Sequence, residues 1–318
     1  MSVTGSFATS RIFLTGGSGM VGRNVIELAR LVGIEVLAPG RIELDLRDQR
    51  AVTEYLRQHR PDIVVHAAGT VGGIQANIRE PVRFMLDNLD VGRNVVCAAR
   101  EAGVTRLLNL GSSCMYPRDA QNPLREEQVL QGELEPTNEG YALAKISIAR
   151  LCEYVSREQP VLRYKTLIPC NIYGRYDKFD PAASHMVPAI LQKLHSAKVA
   201  GSDTVEIWGD GTARREFMYA GDLAHCILRA VDYFESLPAL MNVGIGRDYS
   251  VNEYYEIGAR VVGWRGRFVH DTTKPVGMRQ KLVDSSRART WGWTAETSLE
   301  EGMKLTYEHY LEQVHGYA

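Results

Sequence analysis

The chain has 318 residues, 45% hydrophobic and 24% charged, with a formal net charge of −1. This composition suits a soluble globular protein, either one large α/β unit or two modest lobes, and excludes intrinsic disorder. The near-neutral charge offers no global field for nucleic acid or an anionic membrane. No stretch is long and apolar enough to span a bilayer, and residues 1–10 lack the apolar core of a secretion signal, so the cytoplasm is the expected compartment.

Arg11–Thr15 reads as a strand, followed directly by G-G-S-G-M-V-G-R and a helical pattern over 24–31. Gly16, Gly19 and Gly22 space as G-x-x-G-x-x-G after a strand and before a helix. In that context missing side chains let backbone approach a pyrophosphate at a helix N-terminus, which predicts dinucleotide binding. The second strand, 35–38, carries no acid at its tip for a ribose 2′-hydroxyl. Arg41 stands nearby and suits a 2′-phosphate, favouring NADP over NAD, although a solvated loop arginine is the alternative. Asp45 follows, and Asp48 reads as the N-cap of a helix over 49–59.

A strand over 62–66 leads into A-A-G-T-V-G-G-I-Q-A-N. So glycine-rich a segment at a strand's C-terminal end lies against a ligand or makes a flexible turn. A long helix over 81–103 precedes strand Arg106–Leu110 and G-S-S-C-M-Y-P, which brings the hydroxyls of Ser112 and Ser113 and the thiol of Cys114 to the same edge. The next helix carries Tyr141 and Lys145. Positions i and i+4 share a helix face, so a phenol and an ammonium stand side by side, and a nearby lysine favours the phenolate. The plainer alternative is a lysine snorkelling past a half-buried tyrosine. Strand 164–168 then runs into P-C-N-I-Y-G. Five strand-helix units in series predict an α/β fold with a doubly wound parallel Rossmann sheet and right-handed crossovers.

After Gly174 the pattern turns to mixed short elements that read as a smaller C-terminal α/β substrate lobe: helix 187–195, strand 205–208 and helix Val251–Val262. Helix 222–234 and strand 241–244 look like returns to the main sheet. The expected division is a dinucleotide-binding domain of 1–174 plus about 218–245, and a nucleotide-sugar lobe of 175–217 plus about 246–318. Arg214 and Arg215 in R-R-E-F are two adjacent cations that either clamp a diphosphate or pair with surface acids. Five cysteines, at 97, 114, 152, 170 and 226, are odd in number and lack C-x-x-C spacing, so neither disulfides nor a metal site is expected.

With these motifs in this order and spacing, the chain resembles the extended short-chain dehydrogenase/reductases. Within them it is similar to the GDP-L-fucose synthase family of GDP-4-keto-6-deoxy-mannose epimerase-reductases. The narrower likeness rests on V-G-G-I-Q-A-N (71–77), G-S-S-C-M-Y-P (111–117), L-E-P-T-N-E-G-Y-A-L-A-K (134–145) and N-I-Y-G (171–174). It continues through F-D-P-A-A-S-H-M-V-P-A (179–189), W-G-D-G-T-A-R-R-E-F (208–217) and K-L-V-D (281–284).

Carried over by position, the resemblance implies Tyr141 as catalytic acid, Lys145 as its partner and ribose ligand, and Ser112 as the hydroxyl at the C4 carbonyl. Cys114 and His185 match the epimerisation acid/base pair, since a proton α to a ketone is removable by a thiolate or imidazole and inversion needs a second group on the opposite face. NADP(H) is the implied cofactor. Its contacts are Gly16, Gly19, Met20, Val21, Gly22, Arg41, Asp45, Leu46, Ala67, Ala68, Gly69, Tyr141, Lys145, Pro169, Asn171, Ile172 and His185. The implied substrate is a GDP-linked 4-keto-6-deoxy sugar, met by Val71, Gly72, Ser113, Cys114, Asn171 and Met186, with Trp208, Arg215 and Lys281 at the GDP part. A homodimer is implied as well. Gly140 stands where the family pattern has proline, and Thr70 where lysine commonly precedes V-G-G. Those positions flank the sugar, leaving GDP-L-colitose and GDP-6-deoxy-heptose chemistry as alternatives, with a non-catalytic dinucleotide-binding regulator more remote.

Overall fold

The computed structural model describes residues 10–180, 184–274 and 278–315. Residues 1–9, most of the N-terminal segment read for a leader, and 181–183, inside the F-D-P-A-A-S-H run, lie outside them. The first half alternates β1 (Arg11–Thr15), α1 (Met20–Leu31), β2 (Glu35–Leu37), α2 (Gln49–His59), β3 (Ile63–His66), α3 (Ile74–Arg79), α4 (Pro81–Glu101), β4 (Arg106–Leu110), α5 (Glu139–Glu158) and β5 (Arg163–Pro169). Then come β6 (Asn171–Tyr173), α6 (Met186–Val199), β7 (Thr204–Trp208), β8 (Arg214–Arg215), β9 (Phe217–Tyr219), α7 (Ala220–Asp232) and β10 (Leu240–Val243). The chain closes with β11 (Tyr249–Ser250), α8 (Val251–Val262), β12 (Arg267–Asp271), β13 (Gln280–Lys281), α9 (Ser286–Thr290) and α10 (Leu299–His315).

Among the described residues, six parallel strands form the central sheet in the order β10-β5-β4-β3-β1-β2. Strands covered on both faces read as unbroken apolar runs, because helices pack above and below. Alternation shows in where each side chain goes. Ile12 and Leu14 of β1, with Ile63 and Val65 of β3, join a core shared with Val25 and Ala29 of α1 and Leu223 and Ile227 of α7. Phe13 and Val64 point the other way, into a core with Val52 and Leu56 of α2 and Val95 and Val96 of α4. The strand order reverses between β1 and β3, so a crevice opens outside their C-terminal ends.

A third core holds the remaining elements together: α6, α8 and α10 enclose Ile190, Leu194, Tyr254 and Met303 beside Val205 and Ile207 of β7. Parallel β7 and β12 form one small sheet, and β8 lies between antiparallel β11 and parallel β13. Glu216, fully buried between β8 and β9, ties this part to the main sheet by accepting from Gly246 N (2.8 Å) and Val283 N (2.9 Å). Burial pushes its carboxyl up to about 7, against the pull of those N–H groups.

The sequence expectations hold for the sheet and the long helices, and Asp48 caps α2 by accepting from Ala51 N at 3.1 Å. Helix α1 starts at Met20 rather than 24, since the glycine turn ends at Gly19, whose carbonyl already accepts from Arg23 N. The glycine-rich segment after β3 contains a short helix, α3, held by Asn77 Nδ2 on the carbonyls of Gly72 and Gly73 (3.0 Å each). Among the described residues, no helix is long and apolar enough to cross a membrane.

Candidate active site

The crevice begins at the glycine turn. Gly16 has φ +75, where a side chain is strained, and a Cβ there would lie 2.8 Å from Ala68 backbone. A Cβ on Gly22 would stop 2.2 Å from Gly16 O, so α1 can approach the turn only without one. Gly19 differs: its Cβ would meet Gly16 O at 3.4 Å, an ordinary contact, so protein packing does not demand glycine there. Gly19 is also the N-cap of α1, with Met20 and Val21 opening the helix. A bare helix N-terminus beside a turn without side chains fits the diphosphate of a dinucleotide.

Across the switch point, Ala67, Ala68 and Gly69 leave β3, and Ala68 N donates to Thr15 Oγ1 at 3.2 Å. A Cβ on Gly69 would come 2.7 Å from Asn88 Oδ1 and 3.6 Å from Lys145 Nζ. The loop after β2 is exposed at Arg41. Asp45 is held by Arg47 through its side chain and backbone N–H, and those hydrogen bonds bring its carboxyl down to about 2, with smaller help from the Arg47 and Arg41 charges. Leu46 packs on the α2/α4 core, and Asn94 Nδ2 holds its carbonyl at 3.2 Å.

Beyond β4 the backbone makes one 3₁₀ turn, Ser113–Met115, capped by Ser112, whose Oγ accepts from Cys114 N at 3.2 Å. Ser113 is buried beneath it. From α5, Lys145 reaches the same place and donates to Leu110 O at 2.9 Å. Burial draws its ammonium down to about 8, with the Cys114 charge acting the other way. Burial also pushes the Tyr141 phenol well above its ordinary value, with Cys114 adding to it and a hydrogen bond to Ser112 opposing. This corrects the expectation that Lys145 favours the phenolate. The ammonium lies 5.9 Å from the Tyr141 ring centroid and is committed to the Leu110 carbonyl.

Cys114 is partly buried, and its sulfur has two cation or amide neighbours. Asn138 Nδ2 donates at 3.2 Å and Lys281 Nζ at 3.5 Å. Lys281, expected at the GDP part, thus stands beside the thiol. His185 is the N-cap of α6, and burial lowers its imidazole, with Lys178 contributing. Gly73 faces this segment, its Cβ position lying 3.5 Å from Ser184 O. Val71 is exposed, and Gly72 packs so closely on Phe84 that a Cβ would come within 2.9 Å.

The two adjacent arginines part company. Arg214 pairs with Asp248 at 2.8 Å and Glu253 at 3.5 Å, whereas Arg215 lies beside Lys281 in the β8/β13 register and donates to Arg214 O at 2.8 Å. Burial lowers the Arg215 guanidinium from its usual value, opposed by the charges of Tyr254 and Glu135. Pro169 ends β5, Asn171 Nδ2 donates to Glu216 O at 2.9 Å, and Ile172 packs on the main core. Met186 opens α6 against the third core. Trp208, at the end of β7, is 50% exposed and carries the Lys274 ammonium over its ring at 5.8 Å. Its strand pairs with β12, whereas Arg215 and Lys281 lie on the separate β8/β13 pair.

Both departures from the family pattern have local reasons. A Cβ at Gly140 would meet Pro81 O at 3.2 Å, so the start of α5 lies close on α4. Thr70 donates to Asp87 Oδ2 at 3.2 Å. Two site residues escaped the sequence analysis, Asn88 and Asn138. Asn88 holds the loop after β3 by accepting from Thr70 N (3.1 Å) and donating to Thr70 O (3.0 Å).

Residues 12–244 match the model of the NAD dependent epimerase/dehydratase family. The chain is 49% identical over 303 residues to the GDP-L-colitose synthase of Yersinia pseudotuberculosis, covering 95% of this chain and 98% of that one. It is 52% identical over 301 residues to the GDP-L-fucose synthase of Azorhizobium caulinodans, covering 95% and 96%. Among solved structures it is similar to MlghC, a GDP-mannoheptose C4 reductase from Campylobacter jejuni with NADP bound, at TM-score 0.87 and 32% identity over 96% of this chain and 100% of the other.

Proposed function

Because the chain belongs to the NAD dependent epimerase/dehydratase family, within the branch of GDP-L-fucose and GDP-L-colitose synthases, we propose that it is an NADPH-dependent enzyme that epimerises and reduces a GDP-4-keto-6-deoxy-hexose, giving GDP-L-fucose. The observation that carries this reading is one cluster: Ser112, Tyr141 and Lys145 meet beside a thiol, Cys114, that an ammonium and an amide both approach.

NADPH, when bound, supplies the hydride for C4. Tyr141 gives the C4 oxygen its proton, and Ser112 holds that oxygen as charge develops on it. Lys145 binds the nicotinamide ribose, and Asn88 fixes the loop of Gly69 that backs it. Cys114 and His185 remove and return protons at the carbons α to the ketone, from opposite faces. The turn of Gly16, Gly19 and Gly22 takes the diphosphate, and Arg41 the 2′-phosphate. Arg215 and Trp208 hold the GDP part. Residues 1–174 with about 218–245 form the cofactor domain, and 175–217 with about 246–318 the sugar lobe. Val82, Leu86, Leu143 and Tyr154 leave apolar surface exposed on α4 and α5, which supports a homodimer paired through these helices, working in the cytoplasm.

A second reading, C5 epimerisation and C4 reduction of a 3-deoxy sugar to GDP-L-colitose, is favoured by the 49% identity to the colitose enzyme. The test is NADPH consumption with each GDP-4-keto sugar in D₂O. Fucose-type chemistry labels C3 and C5, and colitose-type chemistry labels and inverts C5 alone. Product without label at C5 would defeat the epimerase half.

A further inference from the structure

Asn138 turns its amide away from the helix it precedes. It is the N-cap residue of α5, a place where asparagine normally turns its side-chain oxygen back onto the backbone N–H groups of the first turn. Here, at φ −143 and ψ 23, its side chain makes no such bond and reaches away to Cys114 Sγ at 3.2 Å. The Lys281 ammonium, 3.5 Å from the same sulfur, makes that sulfur an acceptor, so the amide presents its N–H to it. The other end of the amide, Oδ1, is buried and has no hydrogen-bond partner among the described residues. The helical turn begins earlier, in a 3₁₀ turn over Pro136–Asn138 whose Thr137 N donates to Glu135 Oε1 at 3.4 Å, so the Asn138 amide is spared from capping and its open Oδ1 can be filled by a donor from outside the protein, water or ligand.

We infer that Asn138 bridges the base and the sugar: Nδ2 holds the Cys114 sulfur while Oδ1 accepts from the hydroxyl on C3 of the bound 4-keto sugar. The inference rests on the proposed function and deepens it by naming a specificity residue. A carbon acid beside the C4 ketone is C3 or C5. At C5 the neighbours are the ring oxygen and a methyl carbon, neither with an O–H. At C3 the reacting carbon itself carries one. When Cys114 takes the proton there, the C–H bond breaks, an S–H bond forms, and the electron pair moves onto the C4 oxygen. Asn138 keeps the sulfur aimed at that carbon by gripping the hydroxyl attached to it. A 3-deoxy sugar leaves Oδ1 unpaired in the complex, so Asn138 discriminates against it.

Two arms test this, one without any sugar. In the first, alkylation of Cys114 by iodoacetamide is followed by peptide mass spectrometry, which separates it from the other partly buried thiol, Cys97. Asn138→Asp keeps the shape and is a good N-cap, so it folds, but it replaces the donor at the sulfur with a charged acceptor. Alkylation should slow about tenfold, and about threefold in Asn138→Ala, because the thiolate is the nucleophile and has lost a hydrogen bond. Unchanged alkylation in the folded Asn138→Asp variant would overturn the sulfur contact. In the second arm, kcat/KM is compared for the GDP-4-keto-6-deoxy and GDP-4-keto-3,6-dideoxy sugars. Asn138→Ala should reduce the preference for the 3-hydroxy sugar about tenfold. An unchanged ratio would overturn the sugar contact. A wild-type enzyme that turned over neither sugar would defeat the proposed function instead, and the alkylation arm would still decide the sulfur contact.

Discussion

At the turn after β1 the protein has stripped its side chains away: Gly16 sits at φ +75, and at Gly22 a Cβ would meet backbone at 2.2 Å. Across the crevice, β8 and β13 are two residues each and bring Arg215 beside Lys281 by register alone, with Arg214 turned back onto Asp248. The side proposed for the cofactor is thus built around a bare backbone turn, and the side proposed for the sugar around long charged side chains on short strands. Backbone surfaces suit a ligand with a fixed diphosphate. Side-chain surfaces can be retuned one residue at a time, which suits a branch whose members take different GDP-sugars.

Tyr141→Phe probes the seam between the two sides and carries the largest expected effect. The phenol contributes a proton and little area, so reduction should fall roughly 10²–10⁴-fold while NADPH and GDP-sugar affinities stay near wild type. Stopped-flow NADPH oxidation with parallel binding measurements checks this. Near-normal turnover would move the acid elsewhere.

The two arginines come next. Arg215→Ala should raise KM for the GDP-sugar about 10–100-fold with little loss of thermal stability, since it removes a charged donor from the pocket. Arg214→Ala should do the reverse, lowering Tm by about 1–2 °C while KM holds. Its pair with the buried Asp248 is worth about 1 kcal/mol, discounted because Arg214 is partly in water. If both variants raised KM equally, the sugar side would be a two-arginine clamp.

The glycines supply the matching test on the backbone side. Gly22→Ala forces α1 away from Gly16 O and should cost about 1–3 kcal/mol of stability. Gly19→Ala, at an ordinary 3.4 Å contact, should leave Tm unchanged and weaken NADPH only. A fall in Tm for Gly19→Ala would mean that its glycine serves the fold rather than the cofactor.

The contrast explains what the sequence made legible. Gly16 and Gly22 could be read because a strand, a glycine turn and a helix follow one another locally, and the main strands because burial on both faces leaves apolar runs. Tyr141 and Lys145 lie one turn apart on one helix. Lys281 beside Cys114 could not be read from spacing, since 167 positions separate them and strands of two residues carry no periodicity. Asn138 was hidden for another reason: as a residue before a helix its expected work is capping, and only the fold reveals that its amide turns to the sulfur. The phenolate expectation failed because burial, a tertiary property, outweighs a helical neighbour 5.9 Å away.

The smallest expected effect belongs to an exposed side chain proposed to meet the cofactor. Arg41 lies exposed in the loop after β2, near Asp45, an acid that would ordinarily repel a 2′-phosphate. Arg47 neutralises that acid with three side-chain contacts of 2.7 to 3.2 Å, which leaves the Arg41 charge uncancelled. An exposed cation is screened by water and salt, so Arg41→Ala should weaken NADPH by no more than about tenfold and leave NADH unchanged. The difference should shrink as ionic strength rises. Arg47→Ala should act in the same direction by releasing Asp45 to repel the phosphate, and Asp45→Asn should reverse it. Binding of both cofactors across a salt series reads all three variants. Equal losses for NADPH and NADH in Arg41→Ala would show that Arg41 does not meet the 2′-phosphate.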